Sequence, residues 1–234
     1  YSFLPMNSQQ INLYASYGIR SWISLGVDAF YVDYDNCKDN QTLALINHYI
    51  YSMYGIMLNK RVVVLSRNYS MSTHRDTVIF NGKTKVGWDT LSILPQYHMS
   101  ASNNGVSYVA SPIGGYYGGI ETFELYIRYI QFGVFSTFLI LSSDGGKYYK
   151  REPWRWNVSE EEIIKKYLRL RYQLIPYLYT ESYVYSKSGS PVIQPLYYKY
   201  PKIYDEPLYR NQYFFGSEML VCPIVKKKNL IMDR

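Results

Sequence analysis

Cysteine is scarce in this chain, with only Cys37 and Cys222 in 234 residues. Two lone thiols make neither a disulfide framework nor a CxxC motif, so small disulfide scaffolds and zinc ribbons are excluded. Structural thiols in a reducing compartment are the expectation. Histidine is also rare: His48, His74 and His98 are dispersed, so no metal-ligand cluster forms and no Ser-His-Asp set with a nucleophile elbow is present. Long apolar runs are missing. The longest stretch, Phe132 to Leu141, contains Ser136 and Thr137 and is too short to cross a bilayer. No secretory leader is visible at Tyr1, and the chain reads as soluble and cytoplasmic, with no membrane partner. Glycine-rich phosphate loops and basic–aromatic stripes are lacking too. The net charge of +7 comes from scattered residues, with the densest run at Lys226-Lys227-Lys228. Nucleic acid is therefore not an expected partner.

Aromatic residues are what the chain has in excess. Tyrosine occurs 29 times and aromatics make up 18% of the sequence, within a hydrophobic content of 47% that can build a sizeable core. A broad apolar face with a polar edge suits sugar stacking and barrel cores equally well, and a genomic compositional bias would also produce it. Asn40-Gln41-Thr42, Asn68-Tyr69-Ser70 and Asn157-Val158-Ser159 match the glycosylation triplet, which is frequent by chance in an Asn-rich chain.

Helix and strand signals alternate. Residues 9–25 place Ile11, Tyr14, Ala15, Ile19 and Trp22 at helical spacing. Strands are predicted at 29–33, 62–66, 77–80, 106–110 and 135–141, and helices at 41–57, 88–100 and 120–133. A further long helix opens at Ser159, with Ser159 and Glu162 as a capping box. Alternation at this spacing predicts a parallel α/β sheet. Five strand signals fall short of the eight in a closed (β/α)8 barrel of about 250 residues. After Pro191 the runs Val192–Tyr198 and Met219–Val225 look like strands of a second, β-rich module. The predicted organisation is the C-terminal part of a (β/α)8 barrel over 1–188 and the beginning of a β-sandwich domain over 189–234.

The run Gly26-Val27-Asp28-Ala29-Phe30-Tyr31-Val32-Asp33 reads as a buried strand ending in a carboxylate, and in α/β barrels the chemistry collects at that end of the strands. Together with Leu65-Ser66-Arg67, Gly82 with Trp88, Gly105–Tyr108, Ile113-Gly114-Gly115-Tyr116, Arg151-Glu152-Pro153-Trp154 and Phe215–Val221, in that order along the chain, it resembles glycoside hydrolase family 31. That family comprises α-glucosidases, α-xylosidases and α-N-acetylgalactosaminidases. The resemblance implies a TIM barrel, of which this chain supplies about the last five strands. It also implies hydrolysis of terminal α-glycosidic bonds with retention, by two carboxyl groups about 5–5.5 Å apart and without a cofactor. Asp33 holds the nucleophile position, Arg67 the position of a substrate-binding arginine, and Trp88 and Tyr108 positions that shape the sugar site. An α-linked carbohydrate is the implied partner. The rest of the barrel, or self-association, is expected to cover the open sheet edges.

The departures from the family pattern are as informative. The family's Gly-Asp pair, whose Asp is the general acid, is here Gly82-Lys83, and an ammonium with a reference pKa of about 10.4 is a poor acid near pH 7. A His-Asp pair before Ile113 is here Ser111-Pro112, and a family Arg and His align with Ile140 and Ser142. Asp35, Asp76, Asp89 and Asp144 are other carboxylates to weigh. Asp89 is read as a helix N-terminal residue and Asp76 as an ion pair with its neighbour Arg75. Trp154 and Trp156 are read as aromatic platforms or as braces of the barrel mouth, and His48 and His98 as surface or core histidines. Impaired hydrolysis is the expectation, with a sugar-binding pseudoenzyme or a decaying fragment as the alternative.

Overall fold

In the computed structural model, residues 7–33, 40–67, 73–145, 149–203 and 206–227 are described, and the chain divides into two units, Tyr1–Asn81 and Gly82–Arg234. In the first unit the helical pattern of residues 9–25 becomes α1 (Ser8–Leu13), a π-wound stretch (Tyr14–Ile19) and α2 (Arg20–Ser24). Asn7 starts it with a reciprocal cap: its Oδ1 accepts from the Gln10 N–H at 2.9 Å, and Gln10 Oε1 accepts from the Asn7 N–H at 3.0 Å. Next come β1 (Ala29–Val32), α3 (Asn40–Leu58), β2 (Val63–Ser66) and β3 (Val78–Phe80). β1 and β2 are parallel with Val32 opposite Ser66, and β2 and β3 are parallel with Ser66 opposite Ile79. Parallel neighbours need a crossover connection, which α3 provides between β1 and β2. Ile11, Ile19, Ile46, Ile50, Tyr54 and Val64 form the core of this unit. Asp28, the charge in the strand-like run, accepts a hydrogen bond from Tyr54 Oη at 2.9 Å, and buried Asn47 donates to buried Ser66 at 2.9 Å.

The second unit contains β4 (Lys85–Val86), α4 (Trp88–Asn103), β5 (Val109–Pro112), β6 (Tyr117–Gly119), α5 (Phe123–Val134) and β7 (Phe138–Ile140). The helices α6 (Val158–Gln173) and α7 (Ile175–Ser188) follow, then β8 (Ile193–Pro195), β9 (Tyr213–Phe215) and β10 (Met219–Val221). β5 and β7 are parallel with Ser111 opposite Leu139, β4 and β6 are parallel, and the last three strands form an antiparallel sheet in the order β10-β9-β8. The expected partial barrel is present as three parallel strands in the first unit and two in the second, followed by the antiparallel start of a β domain. One apolar cluster joins Leu91, Tyr126, Phe132, Ile164, Tyr213 and Phe215. The final sheet thus shares its core with α4, α5 and α6, and packing is continuous across residues 188 and 189.

Several boundaries differ from the sequence reading for local reasons. β5 starts at Val109 rather than 106, because the Val106 N–H closes the end of α4 onto the Ala101 carbonyl at 3.0 Å. The cap expected at Ser159 lies two residues earlier. Asn157 Oδ1 accepts from the Glu160 N–H at 2.9 Å and Glu160 Oε2 from the Asn157 N–H at 3.3 Å. The long helix breaks at Leu174, where Pro176 follows in the first turn of α7 without an N–H to offer. The strand run 192–198 turns into a 3-10 turn at Leu196.

The tyrosine excess has a structural use here. Fully buried Tyr126, Tyr129 and Tyr213 each direct a hydroxyl to a main-chain carbonyl: Arg151 at 2.7 Å, Gly87 at 3.0 Å and Phe135 at 2.9 Å. Tyr177 does the same to Phe215 at 2.8 Å and Tyr185 to Gly105 at 2.6 Å. These carbonyls lie at or next to element ends and in loops, where backbone groups lack regular partners. A tyrosine fills core volume with its ring and satisfies such a carbonyl with its tip.

Candidate active site

In the first unit the register fixes the geometry. Val32 ends β1 opposite Ser66, which ends β2, so Asp33 and Arg67 leave the sheet side by side at its C-terminal edge, on strands about 4.8 Å apart. Asp33 is exposed and Arg67 half-buried. A cavity of about 120 Å³ opens beside Asp33, lined also by Tyr14, Trp22, Phe30, Tyr31 and Ile50. This is below the roughly 300–1,000 Å³ of ligand clefts, so the described residues of the first unit do not by themselves enclose a sugar. Asp35 and Cys37 lie outside the described residues, as do Asn68, Tyr69 and Ser70. Asp76 pairs with His48 Nδ1 at 3.5 Å, which corrects the expected pairing with Arg75. α3 carries His48 to the turn that precedes β3, within reach of Asp76.

In the second unit Lys83 is half-buried, with Nζ 5.7 Å from the centroid of the Tyr116 ring, a cation–π contact. Its segment is anchored by main-chain bonds: the Tyr116 and Tyr117 N–H groups donate to the Thr84 carbonyl at 2.7 and 3.2 Å. Trp88 opens α4 and packs, half-buried, against the core of the unit. Asp89 is exposed in the first turn of α4, as a helix N-terminal carboxylate should be. Tyr108 is a different case. It precedes β5 and so lies at the N-terminal end of that strand, edge-on to Tyr185 with centroids 5.6 Å apart. That placement makes it a brace between β5 and α7 rather than part of a C-terminal rim.

Ser111 is buried in β5 and meets His98 Nε2 at 2.9 Å. His98 packs edge-on to Phe132 with centroids 5.2 Å apart, and burial pushes its pKa down to about 3. It is a neutral core histidine, and it holds Ser111 toward α4. Pro112 ends β5 opposite Ile140, and both positions are without polar side-chain groups. Ser142 and Asp144 follow β7 at the same strand end, and the Asp144 N–H donates to the Tyr116 carbonyl at 3.1 Å.

In the Arg151–Trp156 run, Arg151 and Trp156 are packing braces. Trp156 stacks on Tyr126 with centroids 5.3 Å apart and an interplanar angle of 13°, and Trp154 is exposed. Buried Arg151 donates to the Gly114 carbonyl at 3.0 Å and the Gly115 carbonyl at 2.7 Å and pairs with the Glu121 carboxylate. Nothing in the spacing of the sequence flagged Glu121. The only available sign was an arginine in a motif that also contained the Gly114-Gly115 pair.

The glycosyl hydrolases family 31 TIM-barrel domain matches residues 10–181, and the glycosyl hydrolase family 31 C-terminal domain matches residues 189–232. The chain belongs to glycoside hydrolase family 31. Among curated relatives, an α-xylosidase of Saccharolobus solfataricus is 27% identical over 95% of this chain and 34% of its own length. Neutral α-glucosidase C of Mus musculus is 29% identical over 74% of this chain and 19% of its own length. The chain therefore spans about a third or less of these family 31 relatives. A family 31 dextranase structure from Flavobacterium johnsoniae, complexed with glucose, superposes with a TM-score of 0.83 at 24% identity, over 95% of this chain and 31% of that one. This likeness shows the shared fold.

Proposed function

We propose that this family 31 chain carries the retaining α-glycosidase architecture with Asp33 as nucleophile and Arg67 as the sugar-binding arginine, and that hydrolysis is impaired by Lys83 at the general acid position. The observation that carries the reading is the β1–β2 register, which sets Asp33 and Arg67 side by side at the strand ends where barrel chemistry collects. In the implied mechanism Asp33 attacks the anomeric carbon of an α-linked sugar, and the glycosyl–enzyme ester is then hydrolysed. The leaving oxygen needs a proton, and Lys83, held against Tyr116, is poorly matched to supplying one. Loss of a general acid typically costs about 10²- to 10⁴-fold. Pro112, Ile140 and Ser142 also leave fewer polar partners for ring hydroxyls than the family pattern has.

The test is turnover of α-glycosyl fluorides of glucose, xylose, galactose and N-acetylgalactosamine, because fluoride departs with little help from an acid. Turnover lost in Asp33→Asn and raised with poorer leaving groups by Lys83→Asp supports the proposal. A second reading, a sugar-binding family member without catalysis, is favoured by the absence of a carboxylate at residue 83. Silence across the panel with folded protein, together with measurable binding of an α-glucoside, would establish that reading instead.

A further inference from the structure

Buried Arg151, in the second unit, is a cation tied to both backbone and carboxylate that the proposed chemistry does not use. Its guanidinium bridges the carbonyls of Gly114 and Gly115 and pairs with Glu121, whose other oxygen accepts from the Lys150 N–H at 2.7 Å. Tyr126 Oη closes the far side by donating to the Arg151 carbonyl at 2.7 Å. The loop it grips has no room to adapt. A Cβ at Gly114, where φ is +98°, would stand 2.7 Å from Arg151 Cζ. A Cβ at Gly115, where φ is +78°, would stand 2.7 Å from Val86 Cα. One glycine thus admits the guanidinium and the next admits the backbone of β4. Immediately downstream, Tyr116 and Tyr117 hold the Thr84 carbonyl, and the Tyr116 ring lies under Lys83.

We infer that Arg151 is a positioning residue: through the Gly114–Tyr117 loop it sets where residue 83 and the segment leading to Trp88 stand on the rim. The planar fork is essential, because one group must serve two carbonyls and a carboxylate at once, which an ammonium cannot do in the same geometry. The link runs from Arg151 to the loop, from the loop N–H groups to Thr84, and from Thr84 to its neighbour Lys83. The functional weight of this position rests on the reading of residue 83 given above, whereas the mechanical link does not.

The test is amide hydrogen exchange on the full 234-residue chain with Arg151→Lys. Exchange at Tyr116 and Tyr117 and across residues 83–87 is expected to quicken about tenfold or more. The Gly216 N–H, bonded to Val192, and the amides of α6 should keep their rates. As a spectroscopic readout, 3-fluorotyrosine at position 116 should change its ¹⁹F resonance in Arg151→Lys as it does in Lys83→Ala, where the ring loses its cation. Should Arg151→Lys not fold, Glu121→Gln removes the ionic partner with the same shape and should give the same local pattern. Uniform quickening throughout the unit, or an unchanged rim and resonance, would overturn the inference. A silent glycosyl fluoride assay would leave it standing, because exchange reads the loop without turnover.

Discussion

The two units are built with different margins. In the first, β1 alternates exposed and half-buried residues, and Tyr31 is 49% exposed. In the second, all four residues of β5 are buried, and Tyr126, Tyr129 and Tyr213 are sealed in the core. Asp33 and Arg67, the proposed nucleophile and sugar-binding arginine, sit in the lightly covered unit, at the ends of β1 and β2. Lys83, Pro112 and Ser142, the proposed departures from the family pattern, sit in the heavily packed one. In the second unit tyrosine hydroxyls, Arg151 and a shared core hold the backbone, and half-buried Lys83 and Ser142 lie outside that core cluster.

The contrast can be tested by substitution. Phe132→Ala, at 1% exposure in the second unit, should cost about 3–5 kcal/mol by opening a cavity among its neighbours. A urea midpoint followed in the second unit would show it, and a loss below about 1 kcal/mol would deny that unit its dense core. Acid should act through the same unit. The His98 pKa is about 3 in the fold against 6.5 for the free side chain, so the unfolded chain binds the extra proton between those values. Stability is then complete above about pH 6.5 and declines by about 1.4 kcal/mol per pH unit as the pH falls toward 3. His98→Gln should flatten that decline, at some cost from the altered contact with Ser111. Asn157→Ala, which removes the cap of α6, should cost about 1 kcal/mol. Tyr31→Ala in the first unit should cost no more than about 1 kcal/mol, because the side chain is 49% exposed and meets the Phe80 ring edge-on at 5.6 Å. If Tyr31→Ala proved as damaging as Phe132→Ala, the two units would not differ as described.

Much of the strand–helix order was legible because burial on one face imposes a period on the sequence, as in residues 9–25 and 120–133. The carboxylate at residue 33 was legible because an apolar run ends in it. What escaped depends on partners far along the chain. Asp76 finds His48 rather than its neighbour, and Arg151 finds Glu121 thirty residues away and Gly114 thirty-seven away. Composition could not separate tyrosines used as struts from tyrosines available to a ligand, since both need an apolar face with a polar edge. The shift of β5 escaped because Val106 to Ala110 looks strand-like, while the end of α4 claims the Val106 N–H. Tyr108, read inside a strand over 106–110, consequently precedes β5 instead.

The sealed phenols also give this protein an optical property. Burial raises the pKa values of Tyr126, Tyr129 and Tyr213 well beyond the ordinary tyrosine range. In alkali these rings stay protonated, and colourless in the phenolate band, for as long as the fold lasts, and they ionise together when it opens. Ultraviolet absorbance during an alkaline titration would then carry a late, abrupt step, an intrinsic dye signal for the integrity of the second unit that needs no label.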